Sequence, residues 1–112
     1  MLERFVNRET FDSYEDWKRN FRILTPDRFN MAYDVVDAWA SEAPGKEALL
    51  WCNDFGDEVR LDWRSLSLLS ARYAAALTRL GIRRNDVVMF LLKRRWQFWP
   101  LVIACMRVGC VF

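Results

Sequence analysis

At 112 residues the chain is one domain at most, and its 53% hydrophobic and 15% aromatic content excludes a disordered tail. A net charge of +2 gives no electrostatic reason to bind nucleic acid, and the lack of any histidine removes the commonest general base and the usual catalytic triads. A chain of this size buries roughly 65% of the surface its unfolded form exposes, and six tryptophans require a packed interior to receive them.

The first predicted element is a helix in "SYEDWKRNFRIL". Tyr14, Trp17, Phe21 and Leu24 recur at steps of three and four and make one apolar stripe. Asp12 or Ser13 caps it, with Glu15 or Asp16 three residues on, and Thr25-Pro26 is the expected stop. A second helix follows in "NMAYDVVDAWASEAP", capped by Asn30 and ended by Pro44-Gly45. Its buried stripe is Ala32, Val35, Val36, Trp39, Ala40 and Ala43. Asp34 and Asp37 lie off that stripe, so a solvated face is expected of them rather than acid–base work.

The runs "EALLWCN" and "EVRLDW" flank "DFGD" and predict an antiparallel hairpin. Next, "DWRSLSLLSARYAAALTRLG" predicts a helix capped by Asp62 and ended by Gly81 in the left-handed region. Leu66, Leu69, Tyr73, Leu77 and Leu80 are its expected buried face. "DVVMFLL" is continuously apolar, the pattern of a strand buried on both faces in a parallel sheet. A helix from about Arg94 to Val108 then ends at Gly109, before "CVF" opens another strand. Pro100 fits that helix only near its first turn or at a kink.

The apolar stretch Trp96–Phe112 falls short of the ~20 residues a spanning helix needs, and Arg107 and Pro100 interrupt it. A buried helix is the better account. The second half therefore reads as a βαβ unit, the building block of open parallel sheets. A closing strand of three residues cannot pair usefully, so the chain is expected to be truncated inside a larger α/β domain.

No constellation of catalytic residues emerges. Gly45, Gly56, Gly81 and Gly109 are all turn or helix-end residues, and no phosphate-cradling glycine loop or nucleophile elbow occurs. Lys18, Lys46 and Lys93 sit in polar settings. Arg83-Arg84 and Lys93-Arg94-Arg95 are expected to be solvated loops. Cys52, Cys105 and Cys110, without a C-x-x-C spacing, are expected to be buried free thiols of a reducing cytoplasm rather than metal ligands. The opening "MLERFVNRET" carries charges where an apolar h-region would be, so no signal peptide is expected.

Taken in order, "SYEDWKRNF", "FNMAYDVVDAWA", "EALLWCND", "LDWRSLSLLSARYAAALTRLGIRRNDVV" and "FWPLVIACMRVGCVF" resemble the N-terminal part of acyl-CoA synthetases. The likeness is to the medium-chain and acetyl-CoA-synthetase-like branch of the adenylate-forming, AMP-binding superfamily, and it spans about Tyr14 to Phe112. One departure is Asn85, where relatives carry glycine before the aspartate; asparagine tolerates the left-handed geometry such a turn requires.

The resemblance implies an α/β fold: N-terminal helices, a β-hairpin and the βαβ start of a parallel sheet, an incomplete portion of the family's large domain. Residues 1–28 would be a helical arm and 29–112 the start of the AMP-binding domain. It implies a ligase that adenylates a carboxylic acid, of fatty type, with ATP and magnesium and passes the acyl group to coenzyme A. The family's catalytic, cofactor-binding and metal-binding residues would all lie after Phe112, so none is assigned here. The segment would be scaffold, inactive alone, with small-molecule substrates but no nucleic acid and no membrane span. The alternative is a non-enzymatic interaction module that completes its core with a partner chain.

Overall fold

The computed structural model describes residues 2–112; Met1, the first residue of the expected arm, lies outside them. Ser13 sits in extended geometry and its hydroxyl accepts from the Asp16 amide at 3.1 Å, starting α1 (Tyr14–Asn20). The helix stops well before Thr25-Pro26, which corrects the expected end. The cause is Asn7. Its side-chain amide donates to the Asn20 carbonyl at 2.8 Å, and its side-chain oxygen accepts from the Arg22 amide at 2.9 Å. Beyond that clasp the chain runs back along Val6, with Leu24 N–H donating to the Phe5 carbonyl at 2.8 Å. Leu24 therefore leaves the stripe, while Tyr14, Trp17 and Phe21 remain stacked at centroid distances of 5.9 and 5.4 Å.

Asn30 starts the next helical stretch as the sequence predicts. Its side-chain oxygen accepts from the Ala32 amide at 2.9 Å, and its own N–H donates to the Asp34 carboxylate at 2.6 Å. The first six residues, Ala32–Asp37, form a widened π-helical turn that continues into α2 (Ala38–Glu42). Ala32 and Val36 are fully buried and the rest of the predicted stripe is half-buried. Trp39 stacks on Trp63 at 5.7 Å, and the Lys46 ammonium sits 4.4 Å from the Trp39 ring.

The hairpin forms as expected from β1 (Glu47–Cys52) and β2 (Glu58–Asp62), with Trp51 opposite Val59 and Cys52 opposite Glu58. Asn53 closes its turn by accepting from the Phe55 and Asp57 amides. Asp62 then caps α3 (Trp63–Arg79), its carboxylate accepting from the Ser65 amide at 2.7 Å. Leu66 is buried on α3 and Leu69, Tyr73 and Leu77 are half-buried. Leu80 is a miss: it falls at the helix end, where the body no longer covers it, and is 79% exposed.

The last helix, α4 (Phe98–Val108), starts four residues later than expected. That shift makes Pro100 its third residue, where a missing N–H breaks no bond because the first four amides have no intrahelical partner. Gly109 ends α4 at φ 78°, and the Cys110 amide reaches back to the Cys105 carbonyl at 3.1 Å. Helices α3 and α4 make the most extensive contact in the fold. With the π turn and the hairpin they enclose a small core of Ala32, Val36, Leu66 and Ile103, to which Ala48, Leu61, Trp63 and Met106 add cover.

The expected parallel sheet is where sequence and structure differ most. Among the described residues the one sheet is the two-stranded hairpin, and the apolar run Asp86–Leu92 is extended without being a strand. Its backbone pairing with the last residues is a single parallel bridge, Val87 to Val111, beside which the Phe90 and Phe112 rings stack at 6.4 Å. Val88 N–H donates to the Val111 carbonyl and Val111 N–H to the Asp86 carbonyl, both at 2.8 Å. One bridging backbone cannot hold a ladder along the run, so only one face is covered. Val88 and Phe90 are half-buried, whereas Val87, Met89 and Leu91 are 76%, 81% and 89% exposed. The turn before it keeps its left-handed residue, Asn85 at φ 71°.

Candidate functional site

Two polar assemblies stand out from the apolar frame. The first joins three helices. Arg107, the one charged residue of α4, lies 8% exposed and grips Asp37 with both terminal nitrogens, Nη1 to Oδ2 at 2.8 Å. The Ser67 hydroxyl donates to Asp37 Oδ1 at 2.7 Å, and Arg107 Nε donates to Ser70 Oγ at 3.0 Å. The Tyr33 ring lies 5.2 Å from the guanidinium. The hydrogen bond from Arg107 holds the Asp37 carboxyl below its usual range, against the opposing effect of burial. This corrects the solvated face expected of both aspartates: Asp37 is half-buried and clamped, while Asp34 braces the Asn30 amide. The two carboxylates do separate structural jobs, and the Ser67 hydroxyl beside Asp37 serves it as a hydrogen-bond donor.

The second assembly lies where the extended run gives way to α4. Lys93, Arg94 and Arg95 form a tight turn there, with Arg95 N–H donating to the Lys93 carbonyl at 2.6 Å. Trp51 of β1 anchors it through an indole N–H bond of 2.8 Å to the Arg94 carbonyl. Together with Phe98 and Trp99 these residues line a cleft of about 300 Å³. A wider recess of about 640 Å³ adjoins it, bounded by the same basic turn and by the hairpin turn with Asp54 and Asp57. The three cations are exposed, as the sequence predicts, and make no ion pair among the described residues. What the sequence reading missed was the part of the aromatic enclosure that Trp51 supplies. The signal was present in "KRRWQFW", where basic and aromatic residues interleave, but Trp51 arrives from 43 positions earlier in the chain.

The remaining candidates do not converge. Cys105 and Cys110 are buried as expected, and burial with the neighbouring Cys110 thiol pushes Cys105 up to about 12, which keeps it an inert thiol. Cys52 is exposed on the hairpin, contrary to the buried position expected of it. Arg83 and Arg84 stay in the loop before Asp86, with the stem of Arg84 against Gly109. No cluster of three or more metal-ligating side chains occurs among the described residues, and none of their helices is long and apolar enough to cross a membrane.

Against this geometry, comparison with known proteins is informative. The acyl-coenzyme A synthetase ACSM3, mitochondrial, of Mus musculus is 36% identical over 96% of this chain and 20% of its own length. ACSM4, mitochondrial, of Rattus norvegicus is 39% identical over 92% of this chain and 19% of its own length. The chain thus spans about a fifth of the length of the curated relatives it matches. Among solved structures, the fatty acyl-adenylate ligase of L. pneumophila, in complex with acyl adenylate and pyrophosphate, superposes with a TM-score of 0.66. At 23% identity it covers 72% of this chain and 14% of that one, so the two share part of an adenylate-forming fold. A family model described as AMP-binding enzyme matches residues 36–112, well over half of the sequence, and the chain belongs to that family.

Proposed function

We propose that this chain is the N-terminal scaffold segment of an ATP-dependent acyl-CoA synthetase. The parent enzyme adenylates a carboxylic acid of fatty type, releases pyrophosphate, and passes the acyl group to coenzyme A. Residues 1–28 form its helical arm and 29–112 begin its large AMP-binding domain. The observation that carries this reading is 36% identity to an acyl-coenzyme A synthetase over 96% of the chain. The described residues hold no glycine-rich phosphate loop and no carboxylate cluster suited to magnesium, so no step through ATP, magnesium or coenzyme A is assigned to them.

What these residues do is hold a frame. The Asp37–Arg107 clamp fixes α4 against α3 and the π turn, and the bridge at Val87 sets the direction of the extended run. The outward row Val87, Met89, Leu91 and Val111 supports an apolar layer packed over it in the parent enzyme.

The test is a chimera. This chain replaces the matching fifth of mouse ACSM3, and carboxylate-dependent ATP–pyrophosphate exchange is measured. We expect exchange from the chimera and none from the 112-residue chain alone. A folded chimera without exchange overturns the synthetase reading; exchange by the isolated chain overturns the scaffold role. A second reading, an interaction module completed by a partner chain, draws on the same exposed row. It requires a folded chimera that lacks exchange.

A further inference from the structure

We propose that the basic cleft at the start of α4 receives the N-terminal arm of a second copy of this chain, in a two-fold dimer that exchanges the arm both ways. The two surfaces are opposite in charge and alike in aromatic content. On the cleft side, Lys93, Arg94 and Arg95 are exposed and have no carboxylate partner among the described residues. Trp99, 51% exposed, stands beside them, and Phe55 at the hairpin tip, 92% exposed, bounds the wider recess of about 640 Å³.

On the arm side, Asp12 and Glu15 flank Tyr14, whose ring is 68% exposed and stacks on Trp17, itself 42% exposed. Neither acid is in an ion pair among the described residues, whereas Asp16 next to them is held by Arg8. Helix α1 buries none of its residues and makes no extensive contact with another helix or strand. Exposed aromatics rimmed by charge mark a surface made for a partner, and aromatic residues with arginine are the types that anchor such contacts. The narrow cleft of about 300 Å³ takes one ring, which brings the acids beside Tyr14 to the guanidinium forks of Arg94 and Arg95.

A chain's own arm is fastened elsewhere. Arg4 pairs with Glu42 of α2, Phe5 packs edge-on to Phe29 at 5.6 Å, and no arm residue lines either recess. The arm that enters therefore belongs to another copy. Each copy carries both surfaces, so a two-fold axis pairs them twice and closes the assembly, where a one-way contact would run on into a fibre.

Sedimentation velocity of the 112-residue chain tests this at about 0.1 M and about 1 M NaCl, between which the Debye length falls from about 10 to about 3 Å. A dimer is expected at the lower salt, with its dissociation constant at least roughly tenfold higher at the upper. Pairing through the outward apolar row at Val87, Met89 and Leu91 would not weaken with salt. Two charge-reversed copies make the test specific. One carries Lys93→Glu, Arg94→Glu and Arg95→Glu; the other carries Asp12→Lys and Glu15→Lys. Each alone repels itself and sediments as a monomer. Mixed one to one, both contacts are complementary again and a heterodimer returns.

All five side chains are exposed, and circular dichroism checks each fold. Should a reversed copy unfold, neutral Gln and Asn replacements of the same residues must still weaken the dimer at least roughly tenfold. The proposal is overturned by a parent that is monomeric at the lower salt, by a dimer equally tight at both, or by a mass that climbs without limit. A folded reversed copy that still dimerises, or a mixture of folded copies that stays monomeric, overturns it too. Association is read directly on this chain and does not rest on the synthetase reading, so a negative result leaves the chimera test standing.

Discussion

Removing Asp37 tests what holds the three helices together. In Asp37→Ala the Arg107 guanidinium, with its side chain 8% exposed, keeps only Ser70 Oγ at 3.0 Å and the face of Tyr33. Stranding a buried charge in this way costs about 3–5 kcal/mol, and because Asp37 itself is 34% exposed the lower end applies, about 3 kcal/mol. That is a large share of the roughly 5–15 kcal/mol by which a domain is stable. Arg107→Ala leaves a carboxylate that water reaches and Ser67 still serves, so it costs less, about 2 kcal/mol. The double variant Asp37→Ala/Arg107→Ala strands no charge and falls short of the sum by about 2 kcal/mol.

Urea unfolding followed by tryptophan fluorescence measures all three, with Glu58→Ala, which breaks an exposed contact to Arg60, as the control. The pH dependence has a fixed sign. Since the folded-state value of Asp37 is depressed below 3.8, the unfolded chain takes up the proton first as pH falls. The stabilisation is present above 3.8 and disappears as pH drops through the lower folded value, so the gap between parent and Asp37→Ala narrows in acid. Additive single variants, or an Asp37→Ala loss no larger than that of the Glu58 control, would refute the clamp.

Two further outcomes follow from the packing around α4 and the hairpin. Asn30→Ala loses the bond to the Ala32 amide and the 2.8 Å bond to the Met106 carbonyl, and should cost about 1–2 kcal/mol in the same assay. Asn30→Asp should recover only the first of these, and a midpoint unchanged in Asn30→Ala would sink the assignment. In the native chain a thiol-reactive disulfide reagent should modify Cys52 quickly and reach Cys105 and Cys110 only on unfolding. Equal rates at all three would show that the end of α4 is not packed.

Local signals proved legible in the sequence. Ser13 and Asp62 mark helix starts, Gly109 a helix end, and the turn around Gly56 a hairpin, because each depends on bonds within a few residues. The positive φ at Asn85 was instead implied by the resemblance, at the position where relatives carry glycine. What escaped was set by distant partners. Periodicity placed Asp37 off the apolar stripe but could not show Arg107 arriving 70 positions later to bind it. The early stop of α1 depends on Asn7, which lies 13 residues before Asn20. Composition marked Asp86–Leu92 as a strand, yet a ladder needs neighbouring backbone along its length, and Val111 supplies one bridge. The cleft was half legible: its charges and Trp99 were written in one run, Trp51 in another.

The Asn30–Met106 bond also sets a timetable for synthesis. These partners are 76 residues apart, so at about 5–20 residues per second a ribosome delivers the second roughly 4–15 s after the first. Throughout that interval the nascent Ala32–Val36 surface has neither Ile103 nor Met106 to cover it. Whatever holds the emerging polypeptide soluble must act in those seconds, before the closing helix leaves the exit tunnel.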